Sequence, residues 1–235
     1  MKKYIGTKEV EAMPMTLGEA DKKMLVAIGS SKLSKYEKSV EGYHVRYDNG
    51  NETWLPKDEF ENTYRLTDTA LDRMLIEGDE LTAKLQKLQF FACTSKFNEL
   101  DTTTRAMLVA KANIMQDYQG VLNQQYTKME SGEGGLSNLS FSVAIALLKA
   151  GYAVRRIGWN GKGLFVVKQV PAHIESDIIP KMQSLPQSAK DLILNGKGFI
   201  DYTSQCLIYN ENTGRADSWV PSISDVFAED WEIVE

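Results

Sequence analysis

The spacing of apolar residues changes period twice along the chain, and that constrains its fold more than any single motif. Within residues 67–129, Leu71, Leu75, Leu81, Leu85 and Leu88 recur at three-, four- and six-residue steps, which places them on one helix face. A break rich in Thr, Ser and Asn then carries Phe97 and Leu100, after which Asp101 or Thr102 is placed to cap a second helix. The apolar face of that helix runs Leu108, Ile114, Met115, Tyr118, Val121 and Leu122. Two amphipathic helices with a short connection make an antiparallel hairpin. A lone hairpin hides little of either stripe, so the pattern predicts self-association into a homo-oligomer.

On both sides of this segment the chain has strand and turn character. Residues 1–66 read as a small β-rich accessory module. Gly42-Tyr43-His44-Val45-Arg46-Tyr47 alternates loosely, Asp48-Asn49-Gly50-Asn51 supplies a tight turn, and Glu52-Thr53-Trp54-Leu55 returns. Pro56 closes the hairpin and opens a helical turn through Phe60. Upstream, residues 18–21 read as a short helix and residues 22–28 as a strand. Ser131-Gly132-Glu133-Gly134-Gly135 is flexible by composition and sets a Gly-rich linker over 130–136.

Residues 137–235 read as an α+β domain with an antiparallel sheet. Ser140 caps a helix that Gly151 stops. Strands follow over 152–157 and 164–170 around the turn Gly158-Trp159-Asn160-Gly161-Lys162-Gly163. Polar helical pieces broken by Pro180 and Pro186 fill 172–196. Strands return over 198–209 and 217–220, Ser222 caps a short helix, and 231–234 is a last strand. The expected fold class is thus α+β in several modules: a small β-rich N-terminal module, an antiparallel helical hairpin and a C-terminal antiparallel-sheet domain.

Composition narrows the partners. The 235 residues carry a net charge of −5 and a pI near 5.3, whereas long duplex DNA requires many Lys/Arg contacts that release counterions. A long nucleic acid is an unsuitable partner. A small phosphorylated ligand is not, because one or two cations and a few backbone N–H groups can hold a phosphate on an acidic protein. No apolar run of about 18 residues occurs, so no membrane span is expected. The basic N-terminus lacks the apolar stretch of a secretory signal. Cys93 and Cys206 are too few for a disulfide framework or a thiolate zinc site, and a cytoplasmic location is expected.

The familiar catalytic spacings are missing: there is no P-loop, nucleophile elbow, His-Glu-x-x-His or Cys-x-x-Cys. The only histidines, His44 and His173, fall in different presumed modules. No catalytic residue, metal ligand or cofactor is assigned. The positive signal is tryptophan in turns. Trp159 follows Arg155-Arg156 inside a Gly-rich turn, where it is either folded back over the sheet or a platform that stacks on a base, with Arg or backbone N–H groups for phosphate. Trp219-Val220-Pro221-Ser222 repeats the arrangement at a helix start, whose N–H groups favour an anion. Asp225 either accepts from a ribose or an exocyclic amine or compensates the helix dipole. Trp231, in a period-two run with Ile233, reads as core.

Residues 141–163, F-x-x-A-x-x-x-L-K-x-G-x-x-V-R-R-x-G-W-N-G-K-G, and residues 219–235, W-V-P-S-x-x-D-x-x-A-E-D-W-E-I-V-E, bracket one domain. Together they resemble the small phage-encoded Thoeris anti-defence family, whose members sequester cyclic ADP-ribose-type signals made by TIR enzymes. The resemblance implies a small α+β unit that assembles as a homo-oligomer with nucleotide pockets shared between protomers. It implicates Phe141, Trp159 and Asn160 from the first motif, and Trp219, Ser222 and Asp225 from the second. The segment from 173 to 197 departs from the family by being longer and more helical.

The middle stretch, with Lys84-Leu85-Gln86-Lys87-Leu88, Ser95-Lys96-Phe97-Asn98-Glu99-Leu100, Arg105-x-x-Leu108 and Met115-x-x-Tyr118-x-x-Val121-Leu122, resembles the helical anti-CBASS sponge family. Those phage proteins are helical hairpins that form hexamers and sequester cyclic di- and trinucleotides. The resemblance implies Lys96 and Arg105 as phosphate-facing cations and Phe97 as a base-stacking ring; the plain alternatives are solvated charges and a core phenylalanine. Residues 3–8, 42–47 and 54–60 resemble an accessory domain of phage proteins that implies no activity. Taken together, these readings predict a non-enzymatic phage sponge for cyclic nucleotide second messengers in the host cytoplasm. The alternatives are an enzyme that degrades the same signals and a structural phage protein without ligand.

Overall fold

A computed structural model of the chain describes residues 9–27 and 30–234, apart from the side chain of Leu33. The chain divides into two compact units between Ile76 and Glu77. The expectations resting on residues 3–8 and on Ile28 lie outside the described residues.

In the N-terminal unit, β1 (Val10–Thr16), β2 (Glu41–Tyr47) and β3 (Glu52–Pro56) form an antiparallel sheet in that order. The β2–β3 hairpin turns through Gly50 at φ +78°, the conformation that Asn-Gly tolerates. Trp54 is fully buried with Met15, Leu17, Ala20 and Val26, and its indole N–H donates to the Met15 carbonyl at 2.8 Å. Its ring lies across β2 at Gly42, where a Cβ would stand 2.5 Å from the indole. A capping box between Thr16 and Glu19 starts α1 (Leu17–Lys22), and α2 (Ser31–Lys35) follows. After Pro56, α3 (Lys57–Glu61) stacks Phe60 on Tyr43 with 4.2 Å between ring centroids. The strand expected over 22–28 is not formed among its described residues. There the Leu25 N–H turns back to the Ala20 carbonyl at 3.0 Å and Val26 is drawn into the Trp54 cluster.

The second unit begins inside α4 (Ala70–Ala92), which α5 (Ser95–Asn98) connects to α6 (Thr102–Ser131). Asp101 caps α6, accepting from the Thr104 N–H at 3.0 Å. Side-chain hydrogen bonds Tyr118–Glu77 and Gln119–Thr82 tie the helices antiparallel. Leu81, Leu85 and Leu122 are buried, but Leu75 is 50% exposed and Ile114 67%. Only part of each predicted stripe is covered within the chain.

Gly132 caps α6 at φ +74°. Gln124 of α6 clamps Ser137 with both amide atoms, donating to its carbonyl at 2.9 Å and accepting from its N–H at 2.7 Å. Leu139 exchanges two backbone hydrogen bonds with Trp231. Ser140 then caps α7 (Phe141–Ala150), and Gly151 ends it at φ +94°. Strands β4 (Val154–Arg156), β5 (Leu164–Lys168), β8 (Cys206–Asn210), β9 (Arg215–Trp219) and β10 (Trp231–Ile233) form one antiparallel sheet in the order β10-β4-β5-β8-β9. Ala144 and Leu148 of α7 pack with Val154, Val166, Ala228 and Trp231 in its core.

Two strand expectations need correction. Residues 198–209 form two strands rather than one: β7 (Ile200–Tyr202) leaves to pair with β6 (Ala172–Ile174), while β8 pairs with β5. Residues 172–174, expected to be helical, are β6, because their backbone pairs antiparallel with Ile200–Tyr202. Between β6 and β7 lie a 3₁₀ turn (Ile179–Lys181) and α8 (Gln187–Asn195). Among the described residues no helix is long and apolar enough to cross a membrane.

Candidate functional site

Three tryptophans converge in the C-terminal domain. Trp159 enters from the turn after β4, Trp219 from the end of β9 and Trp231 from β10. Their ring centroids stand 5.5 Å (Trp159–Trp231), 6.3 Å (Trp159–Trp219) and 6.0 Å (Trp219–Trp231) apart, each pair edge to face. Since β9 and β10 are opposite edges of the sheet, four strand spacings of about 4.8 Å would separate them by about 19 Å if it were flat. The side chains of Trp219 and Trp231 nevertheless meet across the sheet, which twists rather than lying flat, and α9 (Ile223–Val226) lies between β9 and β10 in sequence. Trp231 is fully buried, whereas Trp159 and Trp219 are half-buried and present indole surface at the rim.

One carboxylate fixes this cluster. Asp225, 7% exposed, accepts the Trp159 indole N–H at 3.0 Å and an Arg156 N–H at 3.1 Å on Oδ1. Its Oδ2 accepts the Ser222 N–H at 2.9 Å and hydroxyl at 2.7 Å, completing a capping box. The Asp225 carbonyl takes the Trp231 indole N–H at 3.1 Å. Burial alone would raise the Asp225 pKa, but the hydrogen bonds from Trp159, Ser222 and Arg156 outweigh it and hold the group at about 2. Arg156 also binds Asp230 through Nε at 2.7 Å and Nη2 at 3.3 Å, and Asp230 accepts the Gly158 N–H at 2.8 Å. The Arg156 guanidinium holds the Asp230 carboxyl below its usual pKa.

This geometry sorts the residues expected from the sequence. Trp159, Trp219, Ser222 and Asp225 come together. Phe141 lies behind them, its ring 5.5 Å from Trp231, and Asn160 is exposed on the turn beside Trp159. The lone-pair positions of Asp225 are all engaged within the protein, so it acts here as the anchor of two indoles rather than as an open acceptor. The α9 start is likewise closed by its own capping box. Arg155 and Arg156 face carboxylates instead of open space: Arg155 Nε binds Glu232 at 2.6 Å. The sequence offers Arg155-Arg156 for a phosphate and does not single out Asp230, although the closing Glu-Asp-Trp is visible. The relation of Arg156 to Asp230 depends on the β4–β10 register, Arg156 opposite Trp231, which no local pattern encodes.

In the helical segment, Lys96 is exposed on α5. Phe97 is half-buried and meets Phe91 edge-on at 6.0 Å. Arg105 lies in the first turn of α6, with its Nε buried and without a hydrogen-bond partner. Asp101 places a carboxylate at this helix start, its pKa lowered by the Thr104 hydroxyl and N–H. Two hollows, of about 350 Å³ beside Tyr43 and Lys57 and about 470 Å³ beside Arg155 and Glu232, have no indole of the cluster in their walls.

An antiparallel sheet packed on one helix, with two rim indoles of which Trp159 is tied to the buried Asp225, defines a small aromatic-lined binding domain. The Thoeris anti-defense 2-like domain matches residues 139–234, which include every member of this cluster. Thoeris anti-defense 2 of Bacillus phage SP01 is 32% identical over 103 residues, covering 42% of this chain and 97% of the phage protein. The chain belongs to the Thoeris anti-defense 2 family. A second domain, Sequestin, matches residues 68–126, the helical hairpin.

Proposed function

We propose that the chain is a phage anti-defence sponge that binds cyclic nucleotide second messengers and holds them without cleavage. The C-terminal module, 137–235, takes a cyclic ADP-ribose-type nucleotide, and the helical module, 67–129, takes cyclic di- or trinucleotides. The observation that carries this reading is the half-buried pair Trp159 and Trp219, edge to face at 6.3 Å, with the Trp159 indole held in advance by Asp225. A ring held in place stacks on a base without first losing rotamer freedom, and such stacking contributes about 1–3 kcal/mol per base. Phe141, Asn160 and Ser222 complete the proposed C-terminal site, and Lys96, Phe97 and Arg105 form the proposed helical one.

Sequestration needs no bond to break. A tight binder in excess lowers the free signal below the threshold of its effector inside the host cell. The two histidines stand outside the tryptophan cluster, His44 paired with Glu52 at 2.9 Å and His173 with Asp201 at 2.6 Å. A thermal-shift screen of the intact chain against cyclic ADP-ribose isomers and cyclic di- and trinucleotides tests the proposal, because a ligand of the native state raises its stability by mass action. A chain that no member of the panel stabilises is not this sponge.

A further inference from the structure

The sponge reading gives Trp159 a role but does not say what aims it. Its indole hangs from a turn that begins at Gly158, and turns of this composition adopt many conformations. Three elements must agree for the ring to stand where it does: the end of β4, the short helix α9 and the chain entering β10. Arg156 joins all three. Its guanidinium reaches Asp225 in α9 at 3.1 Å, the Ser224 carbonyl at 3.2 Å, and Asp230 before β10 at 2.7 and 3.3 Å. Its side chain is 18% exposed.

We propose that Arg156 is the positioning residue of the Trp159 platform, acting through Asp225 and Asp230 rather than by touching the ligand. Arg156 Nη1 and the Trp159 indole N–H share one oxygen, Asp225 Oδ1, so the guanidinium sets where the indole finds its acceptor. Asp230, held by the other edge of the same guanidinium, accepts the N–H of Gly158 and fixes the residue before the tryptophan. No side chain fits at that residue without displacing the anchor: a Cβ on Gly158 would stand 2.6 Å from Asp230 Oδ2. A lysine cannot replace this arrangement, because one ammonium lacks the planar fork that reaches two carboxylates at once. Arg155 is the internal comparison. It is adjacent in sequence, yet it pairs across the strands with Glu232 and makes none of these contacts.

This inference rests on the sponge reading for its ligand and on geometry for its mechanism, and a double-mutant cycle in the full chain separates the two. The variants are Arg156→Lys, Trp159→Phe, their combination, and Arg155→Lys as control. The probes are cyclic ADP-ribose and its ribose-linked isomers. Arg156→Lys should weaken binding about tenfold, the scale of one charged hydrogen bond. In the Trp159→Phe background it should cost little more, because a phenyl ring has no N–H to aim. Arg155→Lys should bind as the parent does. The Trp159 indole N–H resonance, assigned by its loss in Trp159→Phe, should shift in Arg156→Lys and stay in place in Arg155→Lys. Undiminished binding by Arg156→Lys, or losses that add in full, would overturn the proposal. If the parent binds none of the probes, the sponge reading fails, and an unmoved indole resonance in Arg156→Lys then overturns the positioning role as well.

Discussion

The indole N–H of Trp159 donates to Oδ1 of Asp225 at 3.0 Å, across 66 residues of sequence. This bond converts a tryptophan in a Gly-rich turn from a mobile hydrophobe into an oriented surface. It also explains why the aspartate is buried at all. Buried carboxylates are tolerated when every lone pair has a donor, and Trp159, Arg156 and Ser222 supply them.

Removing that acceptor should be expensive. Asp225→Ala leaves the Trp159 N–H without its acceptor and Arg156 with only Asp230 and the Ser224 carbonyl, and a buried donor left unsatisfied costs about 1–3 kcal/mol. Urea unfolding followed by tryptophan fluorescence measures the loss. A cost under about 1 kcal/mol, the scale of an exposed pair, would show that the network does not hold the domain.

The same group sets an acid limit. Its folded pKa, about 2, lies below the ordinary value of 3.8, so its stabilisation is fully present above about pH 4 and disappears as pH falls through 2. The shift corresponds to about 2 kcal/mol. Asp230 shifts in the same direction and adds to the effect. Stability measured from pH 5 down to pH 2 should fall more steeply in the parent than in Asp225→Asn. Equal slopes would remove the aspartate from the acid transition.

The helical hairpin should self-associate. Met107, Ile114 and Tyr118 on α6 are 66%, 67% and 44% exposed and Leu75 on α4 is 50% exposed, more apolar surface than solvent-facing helices usually carry. Sedimentation at micromolar concentration should report a species larger than a dimer, and Ile114→Lys should reduce its size. A parent chain that sediments as a monomer is incompatible with this expectation.

Gln124 should decide how firmly α6 holds the start of the C-terminal domain. Its amide pairs with the N–H and carbonyl of Ser137, and Asp117, two turns earlier on the same face of α6, accepts from the Ser142 hydroxyl. Gln124→Ala should lower stability by about 1–2 kcal/mol and speed proteolytic cleavage around Gly134 and Gly135. Unchanged cleavage would mean that Gln124 contributes no restraint.

Much of this was legible in the sequence where local chemistry decides. Asn49-Gly50 gave the hairpin, Ser140 and Gly151 the ends of α7, and Asp101 the start of α6, because turns and caps are written in adjacent residues. The Trp159, Trp219 and Asp225 motifs were visible too, but not their mutual bonds. Those depend on the long-range pairing of β4 with β10, which neither motif announces. Residues 172–174 and 200–202 show the converse limit. Three-residue strands have too few positions to display a period, so β6 and β7 were hidden between prolines and polar helical pieces.

The helical site has its own test. Lys96→Ala should weaken a cyclic dinucleotide about ten- to a hundredfold, since hydrogen bonds to a charged partner contribute about 1.5–3 kcal/mol, and should leave binding at Trp159 unchanged. Should Trp159→Ala alone abolish cyclic dinucleotide binding, the chain has one class of site and not two.

The most direct test of sequestration is calorimetric titration of cyclic ADP-ribose and its ribose-linked isomers into the intact chain, followed by denaturation and chromatography of the released nucleotide. One isomer should bind, Trp159→Ala should weaken it about ten- to a hundredfold while remaining folded, and the nucleotide recovered from the parent should be intact. Unaltered affinity in Trp159→Ala, or a cleaved nucleotide after release, would contradict a sponge built on the Trp159–Asp225 platform.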